Sequence, residues 1–171
     1  MAPEERASLA ELARLRREVA DDRAAMAART EELRDAAARL PAGLDRPWRA
    51  FTAVALHGWY TALEAIFERI ARVVDGEVPQ GVSSHRDLLS QAMTEIPGVR
   101  APVVPSSLKG DLASLLTFRH FFRHAYAVDL DAEKLGREVE RVMRIEPMLA
   151  GSLDAFDATL ADAERTLRGG Q

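Results

Sequence analysis

Apolar residues recur at helical intervals along almost the whole of this chain. Residues 4–39 are rich in Ala, Leu, Glu and Arg and hold no Gly or Pro, which predicts one long helix. Leu12, Val19, Met26, Leu33 and Leu40 recur every seven residues, but three positions further on stand Leu15, Asp22, Arg29 and Ala36. A seam that is only half apolar suits a helix laid along a bundle or a sister chain better than a self-standing coiled coil. LPAGLDRP, with two prolines and a glycine, ends it.

A second helix is predicted from about Pro47 to Val74. Leu56, Trp59, Tyr60, Leu63, Ile66, Phe67 and Ile70 form one broad apolar face there, with Glu64 at its edge. A carboxylate in that place is either a solvated flank residue or the partner of an arginine across the bundle. DGEVPQGVSSH reads as a loop in which Ser83 or Ser84 caps a short helix from about His85 to Glu95. His85 reads as a first-turn surface residue rather than a ligand, and His57 on the second helix likewise. IPGVRAPVVPSS is a further loop, leading into a helix over about Leu108 to Ala127. Asp129 or Asp131 caps the last helix, from about Ala132, which is expected to kink or restart at Pro147. Beyond it Leu149, Leu153, Phe156, Leu160, Ala163 and Leu167 make an amphipathic stripe. With no strand-like alternation and no internal repeat, the fold class is all-α, an antiparallel bundle of about five helices. The expected organisation is a long N-terminal helix over 1–40, a helical core over 46–145, and a C-terminal amphipathic helix with a frayed tail over 147–171.

Composition narrows the classes of function. A chain of 171 residues, 47% hydrophobic and 29% charged, is long enough for one well-buried domain. A formal charge of −4 argues against polyanion binding by the whole surface, so any nucleic-acid contact falls to a local patch. Cysteine is absent, which removes disulfides, thiolate nucleophiles and cysteine metal sites. The N-terminus lacks a signal-type apolar region, and no apolar run approaches membrane-spanning length. The expectation is a soluble cytoplasmic protein with no membrane association.

One stretch looks chemical. Phe118 to Tyr126 reads FRHFFRHAY. On a regular helix Arg119, His120, Arg123 and His124 fall within an arc of roughly 140°, with Phe118, Phe121, Phe122 and Ala125 on much of the opposite side. One face is therefore expected to anchor in the core and the other to present cations and imidazoles. His120 and His124, spaced i, i+4, are a possible zinc pair, but no third ligand is evident and adjacent arginines repel a cation, so no metal is assigned. The arginines suit an anion instead: guanidinium forks onto phosphate oxygens, and imidazole moves protons near neutral pH. Metal-free RNA cleavage needs this pairing, because the ribose 2′-hydroxyl is an internal nucleophile. Arg119 and His124 lie about 140° apart on an ideal helix, too far to converge easily on one atom. A two-fold dimer would bring the missing angle from a second chain.

Arg119, His124 and Tyr126 reproduce the R-x-x-x-x-H-x-Y motif of the HepT toxins, within the HEPN superfamily of small helical RNases and RNA-associated domains. The resemblance extends to YTALEAIFERIA (Tyr60 to Ala71), HRDLL (His85 to Leu89) and FRHFFRHAYAVDLDAEKL (Phe118 to Leu135), covering roughly residues 50–140. It implies a HEPN-like helical bundle that dimerises, with a composite endoribonuclease site that needs no metal and no cofactor. Arg119 would hold the scissile phosphate and His124 would act as general base or acid. His120, Arg123 and Glu64 would support the site or the RNA. A nucleotidyltransferase-type antitoxin would be the partner, neutralising the toxin by transferring AMP from ATP to Tyr126. The alternative is a non-catalytic HEPN-like adaptor or antitoxin-type subunit, in which the same residues satisfy an interface. An unrelated helical bundle or metal protein is the third reading.

Overall fold

The computed structural model describes residues 3–124 and 130–169, with Arg123 and His124 described by their backbone alone. Tyr126, Asp129, the expected end of the fourth helix at Ala127, and the tail residues Gly170 and Gln171 lie outside the described residues. Five helices make up the rest: α1 (Pro3–Arg39), α2 (Arg46–Ile70), α3 (Ser84–Ala92), α4 (Lys109–His124) and α5 (Ala132–Gly169). No strand occurs among the described residues, only an isolated bridge between Ile96 and Arg100. No described helix is long and apolar enough to cross a membrane.

The ends of the helices follow from local chemistry. A turn at Leu40–Ala42 closes on Gly43, whose φ of 84° is left-handed and favours glycine. Asp45 then caps α2, its carboxylate accepting from the Trp48 amide at 3.0 Å. α2 continues into a π-turn over Ala71–Asp75 that stops at Gly76, φ 78°. α3 ends at Ala92, short of the expected Glu95. Asp75 and Arg100 explain the shorter helix. Both side chains are buried, Arg100 Nε and Nη2 each donate to Asp75 at 2.6 Å, and Nη1 donates to the Thr94 carbonyl at 3.0 Å. That carbonyl is thereby taken up by the loop. Asp131 caps α5, accepting from the amides of Glu133 (2.9 Å) and Lys134 (3.2 Å).

α2 is the central helix and packs against the other four. Leu56, Trp59, Leu63 and Ile66 on it are fully buried. α1 lies along α2 and α5, burying Leu15, Val19, Met26, Leu33 and Ala36, so it is laid along the bundle of its own chain. Buried Thr30 fixes its register: the Trp59 indole donates to Thr30 Oγ1 at 3.1 Å, and that hydroxyl donates to the Met26 carbonyl. Ion pairs flank this seam, Arg16 forking onto Asp157 at 2.8 and 2.9 Å and Arg69 reaching Glu18 at 2.7 Å.

Two expectations are corrected. α5 does not restart at Pro147 but runs through it as one helix. Val139, Val142, Ile145, Leu149, Leu153, Phe156 and Leu160 are all buried, a single stripe spanning the proline, so a break would turn one half of the stripe out of the core. The second correction concerns the polarity of α4. Phe121 is 49% exposed, whereas Arg119 is 7% exposed; Phe118 and Phe122 are half-buried and stack on each other at 6.1 Å. Phe121 is therefore not a core residue.

Candidate functional site

The site is built where α2, α3 and α4 meet. From Leu108, in the turn that leads into α4, the buried positions run on through Leu112, Leu115 and Leu116 to Arg119, so the apolar stripe places the guanidinium inside the bundle. On α2, Glu64 lies four residues after buried Tyr60 and three before buried Phe67, which carries its carboxylate to the same depth. The two meet, Arg119 Nη2 lying 2.5 Å from Glu64 Oε2. Of the two readings of Glu64, the partner of an arginine across the bundle is the one observed. A buried charge needs this kind of pairing.

Glu64 is held from the other side as well. His85, in the first turn of α3, places Nδ1 2.5 Å from Glu64 Oε1. The surface reading of His85 is thus corrected, because its half-buried ring is spent on a carboxylate. Its ring also meets His120 of α4 edge-on, with centroids 5.1 Å apart. One carboxylate therefore ties three helices together through an arginine and an imidazole. Its charge is felt nearby: burial first, and the Glu64 charge second, push the Tyr60 phenol well above its ordinary range. His57 is half-buried and lies against Phe122 at 5.3 Å, an aromatic contact rather than a bare surface position.

Two donors of Arg119 are left over. Nε and Nη1 are buried and have no hydrogen-bond partner among the described residues. Unpaired buried donors are costly in a protein, and each is a charged N–H that an oxyanion could accept from, although Nε and Nη1 point in different directions and do not form one fork. Beside this tie a cleft of about 900 Å³ opens between α3 and α4, lined by His85, Arg86, Lys109 and His120 among others. Among the described residues no group of three or more His, Cys, Asp or Glu side chains is placed to hold a metal ion.

The sequence-predicted residues are distributed as follows. Arg119, Glu64 and His120 converge at this junction. His124 closes α4 one turn beyond His120, and Arg123 precedes it, both described by backbone only. Tyr126 lies outside the described residues. His85 was not among the predicted site residues, and a single sequence holds little to announce it beyond a carboxylate at a core position that must find partners.

A HepT-like family model matches residues 50–160, which holds most of α2, all of α3 and α4, and most of α5. The chain belongs to the HepT-like family. HepT-like proteins are toxin-like members of the HEPN superfamily and belong to toxin–antitoxin systems. The all-helical bundle with its long N-terminal helix agrees with that membership. No curated protein and no solved structure matches this HepT-like chain.

Proposed function

We propose that this protein is the toxin of a toxin–antitoxin pair and acts as a metal-independent endoribonuclease. The observation that carries the reading is Arg119, buried, fixed by Glu64, and holding two donors without an acceptor among the described residues, on a helix whose last turn brings His124. Arg119 takes the scissile phosphate through an unpaired N–H of its guanidinium, and His124 is the proton-transfer group for the 2′-hydroxyl. A two-fold dimer forms the composite site. His120 and Arg123 stand on the same helix and support the RNA. The antitoxin is a nucleotidyltransferase. The Tyr126 hydroxyl attacks the α-phosphorus of ATP, an oxygen–phosphorus bond forms, the α–β anhydride breaks, pyrophosphate leaves and the phenolic proton passes to water. The added phosphodiester then competes with RNA for the arginines. The long α1 and the C-terminal part of α5 flank a core over 46–145 and are elements that extend the dimer or meet the antitoxin. The site of action is the cytoplasm.

The burial of Arg119 also supports a second reading, a non-catalytic adaptor in which the Glu64–Arg119 pair is only a structural tie. One experiment separates the two. The purified protein, with Tyr126 shown unmodified by intact mass, is incubated with total RNA and tRNA with and without EDTA. Cleavage that survives EDTA and falls about 10²–10⁴-fold in His124→Ala is expected, together with growth arrest on expression that the same substitution relieves. No cleavage and no arrest leaves the adaptor.

A further inference from the structure

Attack by a ribose 2′-hydroxyl moves two protons: one leaves the attacking oxygen and one reaches the departing 5′-oxygen. The reading above names a single proton-transfer group. His85 has the placement of the second. A carboxylate oxygen only accepts, so the contact of 2.5 Å with Glu64 Oε1 holds a proton on His85 Nδ1, and Nε2 is the ring atom left to exchange one. The ring lines the α3–α4 cleft and touches that of His120. Arg86 and Lys109 stand on the same walls, both exposed and neither ion-paired among the described residues. Asp87, the acidic residue of the cleft, is engaged by the Ser83 hydroxyl at 2.5 Å. Leu89, Met93 and Leu116 form an apolar floor. Cations beside an apolar floor fit the phosphate and base of a ribonucleotide.

We propose that His85 is the general acid of the ribonuclease site, that Glu64 is its positioning residue, and that the α3–α4 cleft takes the nucleotide on the leaving side of the scissile bond. This rests on the ribonuclease reading. In the step, the 2′-oxygen–phosphorus bond forms as the phosphorus–5′-oxygen bond breaks. The 2′-hydroxyl proton passes to His124, and the Nε2 proton of the His85 imidazolium passes to the 5′-oxygen. The products are a 2′,3′-cyclic phosphate and a 5′-hydroxyl. Glu64 provides the imidazolium with a counter-charge in a cleft that also carries Arg86 and Lys109.

Two substrates test the assignment in the full-length protein: an RNA oligonucleotide, and uridine 3′-(4-nitrophenyl phosphate), whose phenolate leaves without a proton. His85→Gln is expected to cleave RNA about 10²-fold more slowly while staying within about tenfold of wild type on the aryl ester. RNA cleavage by His85→Ala is expected to recover in part when imidazole is added. Equal losses on both substrates without imidazole rescue overturn the assignment, as that is what damage to the fold produces. Wild-type protein that cleaves both substrates, with His85→Gln matching it, sinks this inference and leaves the ribonuclease reading standing. Wild-type protein that cleaves neither sinks both.

Discussion

Glu64 accepts from Arg119 on one carboxylate oxygen and from His85 on the other, both at 2.5 Å, and its side chain is only 6% exposed. Removing one partner of a buried pair strands the other charge, and that costs more than the pair itself contributes. Glu64→Ala is therefore expected to lower stability by about 3–5 kcal/mol, measured as a shift in the urea unfolding midpoint. Glu64→Gln, which keeps an oxygen for one donor, is expected to lose less. A midpoint unchanged in Glu64→Ala would mean that the guanidinium has found water. The pair was partly legible in the sequence. Tyr60, Glu64 and Phe67 share one helical face, as do Leu108, Leu112, Leu115 and Arg119, so each helix carries one charge at a core position and the signs are opposite. A reading confined to FRHFFRHAY missed the second half of this. Over nine residues the phenylalanines look like the buried side, whereas the longer stripe from Leu108 puts Arg119 inside and Phe121 at 49% exposure.

The same lesson about length of pattern holds for whole helices. α1, α2 and the start of α5 were legible because uninterrupted helix formers and caps such as Asp131 act locally. The restart at Pro147 was misread because a proline's local effect was set against nothing, whereas the buried stripe from Val139 to Leu160 crosses it. Packing thus holds in place a residue that the helix itself disfavours. Pro147 is exposed, so replacing it removes no core contact. Pro147→Ala restores a backbone donor and relieves the ring clash, worth about 3 kcal/mol in a helix interior. It also gives the unfolded chain about 1 kcal/mol of lost conformational freedom. A net gain of about 2 kcal/mol is expected, seen as a higher urea midpoint. A loss would show that the helix bends at Pro147 in a way the neighbouring packing needs. The loop after α3 was legible as loop but not in its closure, since the buried Asp75–Arg100 pair joins residues 25 apart in sequence and no local pattern encodes it.

At the scale of the whole molecule the question is whether one chain completes the site. α1, α3, α4 and α5 all pack on α2, and the junction at Glu64 fixes Arg119 in the interior. At the helical interval, position 124 lies about 140° round α4 from position 119. If the two act on one phosphate, the simplest geometry joins Arg119 of one chain to His124 of another across a two-fold axis, making two sites per dimer. Mixing then gives a direct test. Arg119→Gln and His124→Ala proteins, each inactive alone, are co-expressed so that subunits assort at random. Half the dimers are then mixed, and each mixed dimer has one site with both residues intact and one with neither. RNA cleavage is therefore expected to return to about a quarter of the wild-type rate. Glutamine at 119 retains a donor for Glu64 and is chosen over alanine because it is expected to lose less stability, which the urea midpoint of that protein checks. If native mass spectrometry shows mixed dimers and no activity returns, Arg119 and His124 belong to one chain's own site, and α4 must bring His124 round to it without a partner.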